Sequence, residues 1–231
     1  MSEAGITRAA LIVAALVFST VLGPRVAMPL VGGVALLIVE QVVFGGRLSG
    51  LLAGLLDWAS PAYRQRVIRH EAGHVLVSCL LGIPLLGYVL NPWQAFRRGI
   101  PGYGGVELDQ APIRRWQAQG GIPWGDVERY GTFWMAGAAA ETLHYGQATG
   151  DEQDRRQLWM LLSGIASVQP LTPSAKVKAQ INRFLRQSQA LLQAHPEAYA
   201  VAVQHLEQGS PWEDCLAAIA ESLEQEAAQE V

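Results

Sequence analysis

Two histidines four residues apart, His70 and His74, lie in a segment whose ends carry helix start and stop signals. Ser60-Pro61 supplies a capping hydroxyl and a proline for the first helical position, and Gly82 and Pro84 close the segment. A helix of roughly five turns between them puts residues i and i+4 on one face, so both imidazoles can reach one metal ion. Glu71 lies one residue round from that face. It is close enough to take a proton from a metal-activated water and poorly placed to be a ligand. His70-Glu71-Ala72-Gly73-His74 therefore fits HExxH, the pattern of zinc hydrolases. Histidines at this spacing also occur as core or surface residues without metal. The flanking Val67, Ile68, Val75, Leu76 and Val77 predict a buried helix, in which polar side chains need partners; a metal is one.

A chain of 231 residues holds one ordinary globular domain plus an appendage. A net charge of −3 and the lack of a basic stripe with interleaved aromatics exclude a general attraction to nucleic acid. Two cysteines far apart, Cys79 and Cys215, make no disulfide framework and are expected as reduced, buried thiols. Cys79 sits about 140° round the helix from His74 and does not count as a ligand. The mean hydropathy of +0.18 is high for a globular chain, and its cause is local.

Residues 9–46 are almost wholly apolar, broken only by Gly23-Pro24-Arg25 and Glu40. The run is too long for one membrane helix of about 20 residues and just sufficient for two. Residues 9–22 and 26–44 are expected as a short transmembrane hairpin, the first span needing local thinning of the bilayer. The competing reading, a cleaved signal peptide with Arg8 and an apolar core at 9–17, lacks a clear small-x-small cleavage site. Arg47, Arg64, Arg66 and Arg69 follow the second span, against Arg25 alone in the turn, which predicts a globular part on the cytoplasmic side. The domain plan is two transmembrane helices over 1–47, an interfacial linker helix over 48–59 and a globular domain over 60–231. Trp58 and Trp93 are the expected interfacial anchors, the other tryptophans being packing residues.

Beyond the motif helix, 87–92 and 103–109 read as short strands and 93–101 as a loop carrying Arg97 and Arg98. From about Trp124 the chain is helical in period: an alanine-rich helix over 126–145, then 151–168, a long amphipathic helix from Thr172-Pro173 to about Ala194, then 196–206 and 211–229. The fold expected is mainly α, with a small two- or three-stranded β element.

A catalytic zinc site takes three protein ligands and leaves one position open. No third histidine follows in the pattern HExxHxxGxxH, since Cys79-Leu80-Leu81 occupies that region. The third ligand must come from elsewhere, and His144, Glu141, Asp151, Glu152 and Asp154 are the candidates. Asp154 also suits a purely local role, with Asp151 as N-cap and Asp154 at the third helical position of a capping box.

At this point the chain resembles the protease domain of the FtsH-type membrane zinc metalloproteases, over roughly residues 60–225. In that family the HEAGH helix is followed by two strands, a helix of the form Gly-Gly-Arg-Ala-Ala-Glu-Glu-Leu, and a Thr-Gly-Ala-Ser-Asn-Asp turn whose last aspartate binds zinc. Here Ala136-Gly137-Ala138-Ala139-Ala140-Glu141-Thr142-Leu143 stands in the helix position, and Ala148-Thr149-Gly150-Asp151-Glu152-Gln153-Asp154 in the turn. The resemblance implies a zincin-type helical domain, Zn2+ held by His70, His74 and Asp154, and Glu71 as general base. It implies a membrane-anchored endopeptidase in a plasma or thylakoid-type membrane, acting on polypeptides; an extended substrate is expected to add along the open edge of the 103–109 strand. The chain departs from the family at Gly137-Ala138, at the single acid Glu141, and in having no Gly-x-x-x-x-Gly-Lys-Ser/Thr phosphate loop in this sequence. Activity without ATP is therefore expected, on substrates already unfolded, with a homo-oligomer or an FtsH-type ATPase subunit as possible partners. The alternative is a non-proteolytic membrane scaffold or assembly factor, or a partner subunit of such protease complexes. His144 is expected as a polar cap, and His195 and His205 as surface residues.

Overall fold

The computed structural model describes residues 57–98, 105–168 and 174–229, preceded by 28, 29, 32, 33 and 55. The chain divides into two compact units, Met1–Leu56 and Asp57–Val231. Of the first, residues 28–29 and 32–33 are helical and exposed. The expected spans 9–22 and 26–44 otherwise lie outside the described residues, as does most of the linker helix. Among the described residues no helix is long and apolar enough to cross a membrane.

The second unit is mainly helical, with one two-stranded antiparallel sheet. The motif helix α1 runs Pro61–Leu81 and has the expected ends: Ser60 Oγ accepts from the Tyr63 amide at 3.5 Å, and Gly82 turns left-handed at φ 61°. Gly82 N–H then returns to the Cys79 carbonyl and Ile83 N–H to that of Ser78, satisfying groups a helix end would leave bare. Arg129 donates to the last carbonyls, Leu81 O at 2.7 Å and Gly82 O at 2.8 Å, a cation at the negative end of the helix. Every residue from His70 to Ser78 is buried, as the apolar residues flanking the motif predict.

Strands β1 (Leu85–Val89) and β2 (Gly105–Leu108) pair with Val89 opposite Gly105 and a bulge between Leu85 and Gly87. The connection expected as a loop contains a helix, α2 (Pro92–Arg98). Asn91 Oδ1 accepts from Trp93 N–H at 2.8 Å, so Asn91-Pro92 is a helix start of the same kind as Ser60-Pro61. A further helix, α3 (Ala111–Gln119), follows β2; Asp109 Oδ1 receives the Ala111 amide at 2.8 Å and Gly120 closes it.

The alanine-rich segment expected as one helix is two, α4 (Trp124–Trp134) and α5 (Ala136–Tyr145), interrupted at Met135. Then come α6 (Glu152–Val168), α7 (Ser174–Ala194), α8 (Pro196–Gln208) and α9 (Trp212–Gln229), close to the expected bounds. The core gathers Val75, Leu76, Tyr130, Leu158, Phe184, Leu206 and Ile219 from six of these helices, with Met135 from the break between α4 and α5. Two glycines let helices meet closely. A Cβ at Gly73 would lie 2.6 Å from the Ala136 carbonyl oxygen, and one at Gly131 would lie 2.5 Å from the Phe184 ring. α5 thus lies directly against the motif. Of the tryptophans, Trp116 and Trp134 are packed in the core, whereas Trp93, Trp124 and Trp159 are half exposed.

Candidate metal centre

α1 brings His70, Glu71 and His74 into the interior, where each is less than a tenth exposed. Buried imidazoles need partners on both ring nitrogens. His74 Nδ1 lies 2.9 Å from the Phe133 carbonyl oxygen, beside the break at Met135. A carbonyl only accepts, so Nδ1 carries the proton and Nε2 presents a lone pair in the neutral ring. His70 Nδ1 lies 2.8 Å from Glu141 Oε1, and the same logic turns the His70 lone pair outward at Nε2.

Glu141, on α5, is fully buried and tied on every side. Its carboxylate accepts from the Thr149 amide at 3.0 Å and the Gly150 amide at 3.2 Å, and meets Arg66 at 3.2 Å. Arg66 also donates to the Thr149 hydroxyl and lies over the Tyr145 ring at 4.4 Å. Burial pushes the Glu141 carboxyl up, but the hydrogen bonds from His70 and the Thr149 amide, with the nearby positive charge, hold it below its usual value. This is a carboxylate that orients a histidine from behind, as in carboxylate–histidine–metal arrangements.

The two Nε2 atoms converge on Asp154, in the first turn of α6. His70 Nε2 and His74 Nε2 are 3.2 Å apart, and Asp154 Oδ2 lies 3.1 Å from the first and 3.4 Å from the second. Bonds of about 2.0–2.1 Å in tetrahedral array give ligand-to-ligand edges of ~3.3 Å, so the triangle is the size of one face of a zinc tetrahedron. Three lone-pair atoms at such distances repel unless something positive lies among them. A proton on His70 can satisfy Asp154 but leaves His74 Nε2 without a donor, whereas a metal ion satisfies all three. The donor set fits a metal.

The same convergence shows in the acidities. Burial disfavours a charged His70, yet hydrogen bonds to Asp154 and Glu141, with the Glu71 charge, push its pKa up to about 10. Burial likewise opposes an ionised Asp154, and the His74 and His70 imidazoles hold it far below the ordinary carboxylate range.

The remaining candidates fall away on position. His144 is exposed and stacks edge-on against Tyr145, Asp151 pairs with Arg155, and Glu152 meets Arg156 at the surface. Asp154 therefore faces the imidazoles, and Asp151 is engaged by a side chain. Cys79 is outside the cluster, its thiol pushed up by burial. His195 bonds Glu226 at 2.8 Å and is not free at the surface; His205 Nδ1 is buried without a hydrogen-bond partner among the described residues.

Glu71 points to the sheet. Its Oε2 accepts from the Val106 amide at 3.0 Å, and Gly105, at φ 151°, adopts a backbone that other residues rarely take as the strand passes the carboxylate. Two contributors escaped the sequence reading. One is the Phe133 carbonyl, since a backbone acceptor has no letter. The other is Gly137, where a Cβ would overlap the His70 imidazole at well under 3.0 Å; the signal was present, as a glycine amid alanines opposite the motif.

No protein-family model matches this chain, and no curated protein is similar enough to match it.

Proposed function

We propose that this chain is a zinc metalloendopeptidase resembling the FtsH protease domain, anchored to a membrane through residues 9–44 with its catalytic unit on the cytoplasmic side. The observation that carries the catalytic half is the meeting of His70 Nε2, His74 Nε2 and Asp154 Oδ2 within 3.1–3.4 Å, with a carboxylate on the adjacent residue of the same helix. The anchor rests on the apolar composition of 9–46 and the arginines that follow.

His70, His74 and Asp154 would hold the ion, which when bound supplies Lewis acidity, polarising a carbonyl and making water acidic near neutral pH. By accepting from Nδ1, Glu141 and the Phe133 carbonyl would turn the two Nε2 lone pairs toward the ion and fix both imidazoles in direction. Glu71, held by the Val106 amide through Oε2, keeps Oε1 for proton transfer. It takes a proton from the attacking water and returns it to the leaving amine as the peptide bond breaks. The burial of Glu71 keeps bulk water from competing for that proton.

Glu71→Gln tests this. The variant is expected to bind zinc as the wild type does and to lose about 10²–10⁴-fold in cleavage of an unfolded casein substrate. If the zinc-loaded wild type and Glu71→Gln cleave equally, or neither cleaves, the peptidase reading fails and a non-proteolytic scaffold takes its place.

A further inference from the structure

A cavity of about 680 Å³ lies one helical turn from Glu71 and takes no part in the chemistry above. Its volume is within the ~300–1,000 Å³ usual for ligand sites. One wall is the first half of α1, with Gln65 and Ile68; Ile68 precedes Glu71 by three positions and so shares its helix face. Another is Glu107, the neighbour of Val106, whose amide Glu71 holds. β1, α2 and the turn between α8 and α9 complete it. The cavity and the metal centre thus share two elements, α1 and β2.

Its lining selects a class of occupant. The charged residues are two arginines and two glutamates (Arg64, Arg98, Glu107 and Glu207), and Arg98 neutralises Glu107 at 2.6 Å. No net charge is left to attract a phosphate or a polyanion. Three carboxamides, those of Gln65, Gln94 and Gln208, face solvent with no hydrogen-bond partner among the described residues. Each offers an N–H donor and a carbonyl acceptor, the complement of a peptide group. Two half-buried indoles, Trp58 and Trp212, supply flat apolar surface. Trp212 is braced edge-on by Tyr88 at 6.3 Å, whose hydroxyl donates to the Ser210 carbonyl.

We propose that this cavity is an exosite holding an uncharged, extended stretch of polypeptide, a few residues along the chain from the bond presented at the metal centre. Naming the occupant as substrate rests on the peptidase reading; the binding site rests on its own lining. Engagement there would raise the affinity of long chains over short ones without altering the chemical step.

The test uses the full chain in detergent, carrying Glu71→Gln so that the probe stays intact. The probe is a fluorescein-labelled peptide of about 14 residues, a length of ~45 Å when extended, made only of Ala, Ser, Gln and Leu. The triple change Gln65→Ala, Gln94→Ala, Gln208→Ala alters exposed side chains alone, so folding is retained. It should weaken binding by fluorescence anisotropy about tenfold. On an active background it should raise KM for the long peptide about tenfold, leaving kcat and the kinetics of a five-residue peptide unchanged. Equal binding by triple variant and parent overturns the exosite, as does tighter binding of a Glu-rich or Lys-rich probe. Tenfold weaker binding in a protein whose wild type cleaves nothing sustains the site and removes the peptidase. Cleavage with no dependence on the triple change does the reverse.

Discussion

If His70, His74 and Asp154 hold zinc as proposed, adding one methyl group at Gly137 should weaken its binding without replacing any of the three. A Cβ there would lie well under 3.0 Å from the His70 ring, meeting its coordinating edge at Nε2. Carbon contacts settle near ~3.5 Å, so the ring must retreat by more than about 0.5 Å, while ligand bonds hold to within ~0.2 Å. The ring cannot retreat easily, because Nδ1 is held by Glu141, itself bound to the Thr149 and Gly150 amides. Gly137→Ala should therefore cost about 1–3 kcal/mol in overpacking and at least ~100-fold in zinc affinity, more than the loss of a partner behind a ligand. Gly131→Ala is the matched control. Its Cβ would meet the Phe184 ring at 2.5 Å, giving a similar overpacking cost away from the ligands. Zinc content after dialysis, competition against a chromogenic chelator and thermal unfolding together separate the two effects. The reasoning is refuted if folded Gly137→Ala holds zinc as tightly as wild type, or if Gly131→Ala loses zinc equally.

Two further outcomes follow from carboxylates. Glu141→Gln keeps an acceptor for His70 but puts an NH2 group where the Thr149 amide and Arg66 now bind, so chelator competition should show zinc affinity about 10–100-fold lower. Glu226, on α9, accepts from His195 and from the Glu197 and Ala198 amides at the start of α8, a helix whose N-cap residue, His195, does not cap those amides with its own side chain. Burial pushes its carboxyl up, but these hydrogen bonds outweigh that and hold it below 4.5. A depressed folded pKa means stabilisation present above the unfolded value and lost as pH falls through the folded one. Urea unfolding of Glu226→Gln beside wild type should therefore differ by about 1 kcal/mol at pH 7 and progressively less below pH ~4. A difference that persists in acid would assign Glu226 a packing role.

How much of this was readable in one dimension depends on how local each cause is. The motif helix was legible to the residue, because Ser60, Pro61 and Gly82 act on their immediate neighbours. Asn91-Pro92 carries the same signal, yet the sequence predicts a loop over 93–101, since a helix of seven residues shows too little periodicity. The break at Met135 has no local mark: no proline or glycine stands there, and the partner of the adjacent Phe133 carbonyl is His74, 59 residues earlier. Asp154 could be named only through the family resemblance, because its own surroundings read equally well as a capping box. Its distance to the two imidazoles is a property of how α6 returns to α1. Glu141 stood among the candidate ligands, and the fold puts it behind the triad, against His70 Nδ1.

The two imidazoles are aimed by different kinds of partner, and the difference bears on how the centre tolerates sequence drift. His74 is directed by a main-chain oxygen, which every residue type provides, so substitution of Phe133 leaves that acceptor in being. His70 depends on one acidic side chain that a single codon change can delete. Variation should therefore be permitted around position 133 and sharply limited at 141, an asymmetry that a library of random substitutions selected for zinc retention would register.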